Sequence, residues 1–288
     1  MDIRSALLVL ALAGPALAAV PLTKAHAQAA LPGDDTDMAA FSRSLMIGDL
    51  LEVMRAEGIA QSTELSDSLF PGENVAGWAT LVSMIYDTAK MQARFDTALA
   101  KAVGDDAATL AAAQVFFASD LGQRIMTSEI NARRTLLDKT AEATAKDRWA
   151  DMVADKAARA QQILRFGGVN DLIESNVMGG LNANLAFYRG LSGAGGFGDP
   201  MPEDQMLAEV WGQEPDIRKD TTDWLYPFLA LAYQPLTDAE FESYIAFSAT
   251  DAGQKINAAI FEAFDAVMTR ISSDLGQAAG RLMESEDI

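Results

Sequence analysis

Thr250-Asp251-Ala252-Gly253-Gln254-Lys255-Ile256 opens the stretch that decides the fold. From Ile256 the apolar side chains continue at Ile260, Phe264, Val267, Ile271, Leu275, Ala278 and Leu282, in steps of 4, 4, 3, 4, 4, 3 and 4 residues. Their mean of about 3.7 is the period of a helix face, and no strand-like alternation of comparable length occurs. Just upstream, Thr237 and Glu240 form a Thr-x-x-Glu capping box after Pro235, so a helix starts there. Thr250-Asp251 then reads as a fresh N-cap after a sharp corner. Gly253 falls in the first turn of the new helix, where a missing Cβ lets the preceding helix come close.

The corner occurs twice. Phe247-Ser248-Ala249-Thr250-Asp251-Ala252-Gly253-Gln254-Lys255-Ile256 repeats Phe116-Phe117-Ala118-Ser119-Asp120-Leu121-Gly122-Gln123-Arg124-Ile125 at an offset of 131, with six of ten positions identical. Earlier, Asp49-Leu50-Leu51-Glu52 returns as Asp171-Leu172-Ile173-Glu174 at an offset of 122, with Gly58 against Gly180. The period is too long for a solenoid unit and indicates a duplicated helical domain. From Gln123 to Phe166, 44 residues contain neither Gly nor Pro and end at Gly167-Gly168, which reads as a C-cap. The polar middle, Asp138 to Glu142, reads as a solvated helix face or a break. The expected fold is all-α: two tandem homologous helical domains, at 37–166 and 169–284, packed through their long helices.

Residues 1–27 read as a signal peptide, followed by a linker at 28–36. Arg4 supplies a short basic start, Ala6 to Val20 an apolar run of 15 residues, and Ala16-Leu17-Ala18 and Ala25-His26-Ala27 two small-x-small exits. The run falls short of the roughly 20 residues a bilayer-spanning helix needs. A lone Arg suits general secretion, and without Cys there is no lipoprotein attachment site. Cleavage is placed after Ala27, with Ala18 as the alternative. The mature chain of 261 residues, with no later membrane-spanning segment, is expected to be a soluble periplasmic protein.

Composition then excludes whole classes of chemistry. His26 is the one His and there is no Cys, so cleavage leaves neither residue in the mature chain. That removes the commonest metal ligands, cysteine nucleophiles and the base of the usual serine triad. The full chain carries a net charge of −19, and the mature chain −20. Such a surface repels phosphate backbones and anionic lipid, so neither nucleic acid nor a membrane surface is the expected partner.

The doubled corner also carries a family resemblance. A capped short helix, an aromatic, a Ser/Thr corner and then small-Gly-Gln-Arg/Lys-apolar resembles the exported bacterial family called domain of unknown function 2059. The similarity is best from Trp224 to Met268, through Trp224-Leu225-Tyr226-Pro227, Leu236 to Glu240 and Phe247 to Ile256, and weaker around Phe116–Ile125. Where that family usually has Ser-Pro at the corner, this chain has Ser119-Asp120 and Thr250-Asp251. The resemblance implies a secreted, all-helical protein and brings no established activity or site residue with it.

Several motifs imitate catalytic or binding signatures. Gly193-Ala194-Gly195-Gly196-Phe197-Gly198 satisfies G-x-G-x-x-G, but it follows the helical Leu185–Tyr188 rather than a strand and reads as an inter-helix loop, like Pro71–Asn74 in the first half. Gly190-Leu191-Ser192-Gly193-Ala194 falls one Gly short of a nucleophile elbow, and no His or Ser-x-x-Lys lysine stands ready to activate Ser192. Glu174-Ser175 before the Gly-rich loop faintly resembles the acid of helical lytic transglycosylases, which requires a buried Glu with a raised pKa. Asp34, Asp35 and Asp37 fail as a calcium loop because position 12 is Leu45. Asp105-Asp106 and Glu203-Asp204 sit where helices should begin. Trp211, Trp224, Tyr226, Phe228 and Tyr233 give the second half an aromatic segment that reads as core, the alternative being the lining of a ligand pocket or an interface.

No catalytic, cofactor-binding or metal-binding residue is therefore assigned. The expected function is a non-enzymatic binding or interaction module acting on an unknown protein or envelope component. The alternatives are a carboxylate-dependent cell-wall glycan hydrolase or lyase, and a carrier of an apolar ligand between the repeats.

Overall fold

A computed structural model describes residues 35–70 and 77–286. The stretch read as a signal peptide, Asp34 and the turn Pro71–Asn74 lie outside these described residues. Every regular element is a helix, and the described residues contain no strand. The chain is all-α. Its first half contributes α1 (Asp35–Ser44), α2 (Ile47–Leu69), α3 (Trp78–Ile85), α4 (Thr88–Val103), α5 (Ala107–Phe117) and α6 (Asp120–Thr135). After α7 (Lys139–Ala154) come α8 (Ala158–Val169), α9 (Leu172–Gly193), α10 (Glu203–Trp211), α11 (Glu214–Ala232), α12 (Asp238–Ser248) and α13 (Asp251–Glu286).

The two corners are built alike. Ser119 Oγ accepts from Gly122 N at 3.1 Å and donates to Phe116 O at 2.6 Å. Thr250 Oγ1 accepts from Gly253 N at 3.0 Å and donates to Phe247 O at 2.7 Å. A Cβ on Gly122 or Gly253 would overlap the carbonyl of Phe116 or Phe247, so both positions require glycine. The glutamine that follows is a staple. Gln123 Nε2 donates to Phe117 O and to Ser44 O, the last residue of α1, at 2.6 and 2.7 Å. Gln254 Nε2 donates to Ser248 O and to Val169 O, the last residue of α8, at 2.5 and 2.8 Å. Each side chain thereby satisfies carbonyls that two helix ends leave without partners.

Two expectations need correcting. The segment 123–166 runs through parts of three helices: the break allowed at 138–142 is present, and a second, unexpected one follows at Lys156. Asp138 accepts from the N–H groups of Thr140 and Ala141 at 2.8 and 3.0 Å, an N-cap strong enough to start α7 without any Gly or Pro. Lys156, with φ of 53°, then turns the chain into α8. Gly167-Gly168 lies inside α8 and caps nothing, so the boundary expected at 166 falls within that helix. The register of the earlier repeat also shifts. Met46 and Asp171 are the left-handed residues just before α2 and α9, with φ of 52° and 50°. Glu52 is therefore the sixth residue of α2 whereas Glu174 is the third of α9.

Both halves share one buried cluster. The stripe expected from Ile256 to Leu275 is buried throughout, with Ala278 and Leu282 half-buried. The long helices α6 and α13 scarcely touch each other, however. α13 lies along α9 and crosses to α4, where Phe264 meets Phe95 at 4.7 Å, while α6 packs on α11. Phe116 and Phe247, the same position in the two corner motifs, stack at 5.1 Å with planes 18° apart. On the α9–α13 side, Gly190 and Gly276 bring the two backbones into close contact. No helix among the described residues is long and apolar enough to cross a membrane.

Candidate ligand cleft

Most residues singled out from sequence have structural jobs. Gly193–Gly198 ends α9 and leads towards α10, as an inter-helix loop should. Ser192 Oγ accepts from Met201 N at 3.0 Å and pins that loop. Asp106 caps α5 by accepting from Thr109 N at 3.0 Å, and Glu203 and Asp204 lie in the first turn of α10. Glu174 is exposed and bound by both terminal nitrogens of Arg218, at 2.7 Å for Nη2. The Arg218 bond holds the Glu174 carboxyl below its usual range, the opposite of what a proton-donating acid needs. Among the described residues no group of acidic side chains is arranged to hold a metal ion.

The aromatic segment divides. Phe228 and Tyr233 are core residues, while Trp211 is 56% exposed. Tyr226 stacks on Trp149 at 5.4 Å, and Trp224 on Phe228 at 4.8 Å. Trp224 also lines a cleft of about 250 Å³ between the halves. Met54, Glu57 and Gly58 line it from α2, Arg133 from α6, Lys139 from the start of α7 and Met268 from α13.

In its lining, Arg133 Nε and Nη2 grip the two oxygens of Glu57 at 2.7 and 2.8 Å. The Arg133 side chain is 10% exposed and that of Glu57 16%. The guanidinium also lies over Trp224, 5.6 Å from the ring centroid. Two local devices shape the wall. Arg55 on α2 donates from Nη1 to Ser83 O and Tyr86 O at 2.7 and 2.5 Å, closing the C-terminus of α3. Tyr86 then passes directly over Gly58, where any Cβ would overlap the ring. Burial, with the charge of Glu57 adding to it, drives the Tyr86 hydroxyl well above its ordinary pKa, so it remains a donor.

One turn before Arg133, Glu129 is fully buried. Tyr233 and Tyr244 both donate to its Oε1, at 2.8 and 2.7 Å, inside a box that includes Phe166 and Phe241. Burial pushes its pKa up to about 8 against the lowering effect of the two hydroxyls. The carboxyl is therefore largely protonated at neutral pH. Neither Glu129 nor Arg133 belongs to a sequence motif. A signal exists all the same, because both fall on the apolar stripe of α6, at four-residue steps from Ile125.

Compared with known protein families, curated proteins and solved structures, the chain matches none of them.

Proposed function

We propose that this chain is an exported, non-enzymatic binding protein whose ligand occupies the cleft between its two halves. The observation that carries the reading is the Glu57–Arg133 pair. Desolvating two charges costs several kcal/mol per ion, and a buried pair often contributes less stability than apolar residues of the same volume. A pair kept nearly dry in the lining of an open cleft is better explained by recognition than by stability. Export is supported by the basic start, apolar run and small-residue exits of residues 1–27. The resemblance of Trp224–Met268 to domain of unknown function 2059 fits the same compartment. The matching corners, the α4–α13 and α6–α11 contacts and the Phe116–Phe247 stack support two copies of one helical unit packed about a pseudo-twofold axis. The mixed lining, with Arg133, Glu57 and Lys139 beside Met54 and Leu136, suits a small polar ligand better than a purely apolar one.

The test is a thermal-shift screen of small polar metabolites on the mature protein and on Ala60→Trp. Ala60 lines the cleft from an exposed position, so the indole blocks the opening without entering the core. The reading predicts stabilising compounds whose effect disappears in the blocked variant. Compounds that stabilise both proteins equally would contradict it.

A further inference from the structure

We infer that the cleft, taken as the binding site proposed above, accepts a short zwitterion, a free amino acid or small peptide, held by its carboxylate at Arg133 and Lys139 and by its ammonium at Glu64. Arg133 uses Nε and Nη2 on Glu57, and Nη1 donates to no protein acceptor among the described residues. The Arg133 side chain is nine-tenths buried and lines the cleft, so the N–H bonds of Nη1 are available to an oxygen acceptor from outside the chain.

The charges around it decide which acceptor. Glu57 neutralises Arg133, and Glu142 is paired with Lys146 at 2.6 Å. That leaves Lys139 and Glu64, both lining the cleft, both exposed, and neither in an ion pair among the described residues. One unmatched cation and one unmatched anion suit a ligand carrying both signs. A simple anion would meet Glu64 and a simple cation Lys139, each at a cost. Met54, Leu136 and Met268 supply an apolar wall for the ligand's body. The volume of about 250 Å³ lies just below the roughly 300–1,000 Å³ of drug-sized pockets, so the occupant is small. Phe228 and Arg133 already take up the Trp224 ring, which leaves specificity to the charged ends.

The experiment is calorimetric titration of the mature protein with leucine and alanyl-leucine, then with their N-acetyl and C-terminal amide forms. Binding of at least one zwitterion is expected, weakened roughly tenfold when either end is blocked. Lys139→Gln should weaken the zwitterion about tenfold and leave the amide unchanged, and Glu64→Gln should weaken the zwitterion and leave the N-acetyl form unchanged. Both substitutions are at exposed positions, so folding is preserved. Amide or N-acetyl forms that bind as tightly as the zwitterion, or wild-type protein that binds none of the probes, would overturn the assignment. The cleft itself is tested separately, because Ala60→Trp abolishes binding of whatever the cleft does accept.

Discussion

Glu129 shows how one buried carboxyl can set the pH behaviour of the whole fold. Its folded pKa of about 8 lies above the ordinary 4.5, so between those values the folded state holds a proton that the unfolded chain has released. Its contribution to stability is therefore fully present below pH 4.5 and is lost as pH rises from there through the folded pKa, at a limiting slope of about 1.4 kcal/mol per pH unit. Glu129→Gln keeps an oxygen for Tyr233 and Tyr244 and carries no titrating proton. Urea unfolding measured from pH 5 to 9 should show wild type weakening with rising pH and the Gln variant nearly flat across that range. A wild-type curve as flat as the variant's would mean that the buried acid does not govern the pH response. This group is hard to find in the sequence because a glutamate on an apolar stripe resembles an imperfect amphipathic pattern. Only the fold brings Tyr233 and Tyr244, more than a hundred residues away, to its side.

Among the elements, the corner motif is the most legible and the helix ends are the least. Ser119, Thr250, Gly122 and Gly253 do what their chemistry predicts. The glutamines do more, since each joins its corner to the end of a helix far away in sequence. Gln123→Ala and Gln254→Ala should each cost about 1–3 kcal/mol in chemical denaturation, because two backbone acceptors lose their donor. A cost indistinguishable from that of an exposed helical Gln would show that the staples contribute nothing. Gly58→Ala tests the cleft wall: the added methyl must displace Tyr86, with an expected loss of about 1–3 kcal/mol. The break at Asp138 is only one of two readings its polar stretch allows, and the one at Lys156 escapes a sequence reading altogether, because neither needs Gly or Pro. A single Asp cap ends the apparent continuity of 123–166, and Asp138→Ala should cost about 1 kcal/mol. Glu174 misleads for a related reason. The sequence places an acid near a glycine-rich loop, whereas the partner that lowers its pKa, Arg218, comes from another helix.

At the scale of the molecule, the halves are joined by exchange rather than by contact between their long helices. α13 rests on α4 and α6 on α11, and one apolar cluster runs through both halves. A single cooperative unfolding transition is expected, with circular dichroism and tryptophan fluorescence coincident. Two resolved transitions would indicate separately stable domains. The repeat and the helical class can be read from Phe247–Leu282 and its partner at Phe116–Ile125. The cleft cannot, because Glu57, Arg133 and Trp224 are scattered over 168 residues and meet only through the crossed packing.

The four tryptophans allow ligand binding in the cleft to be observed at one residue, since Trp224 borders the cleft and Trp211 lies in the open. In a proton–nitrogen spectrum of the indole groups, titration with a ligand from the screen should move the Trp224 signal and leave that of Trp211 in place. Movement of Trp211 with Trp224 unchanged would place binding elsewhere and contradict a ligand site between the halves.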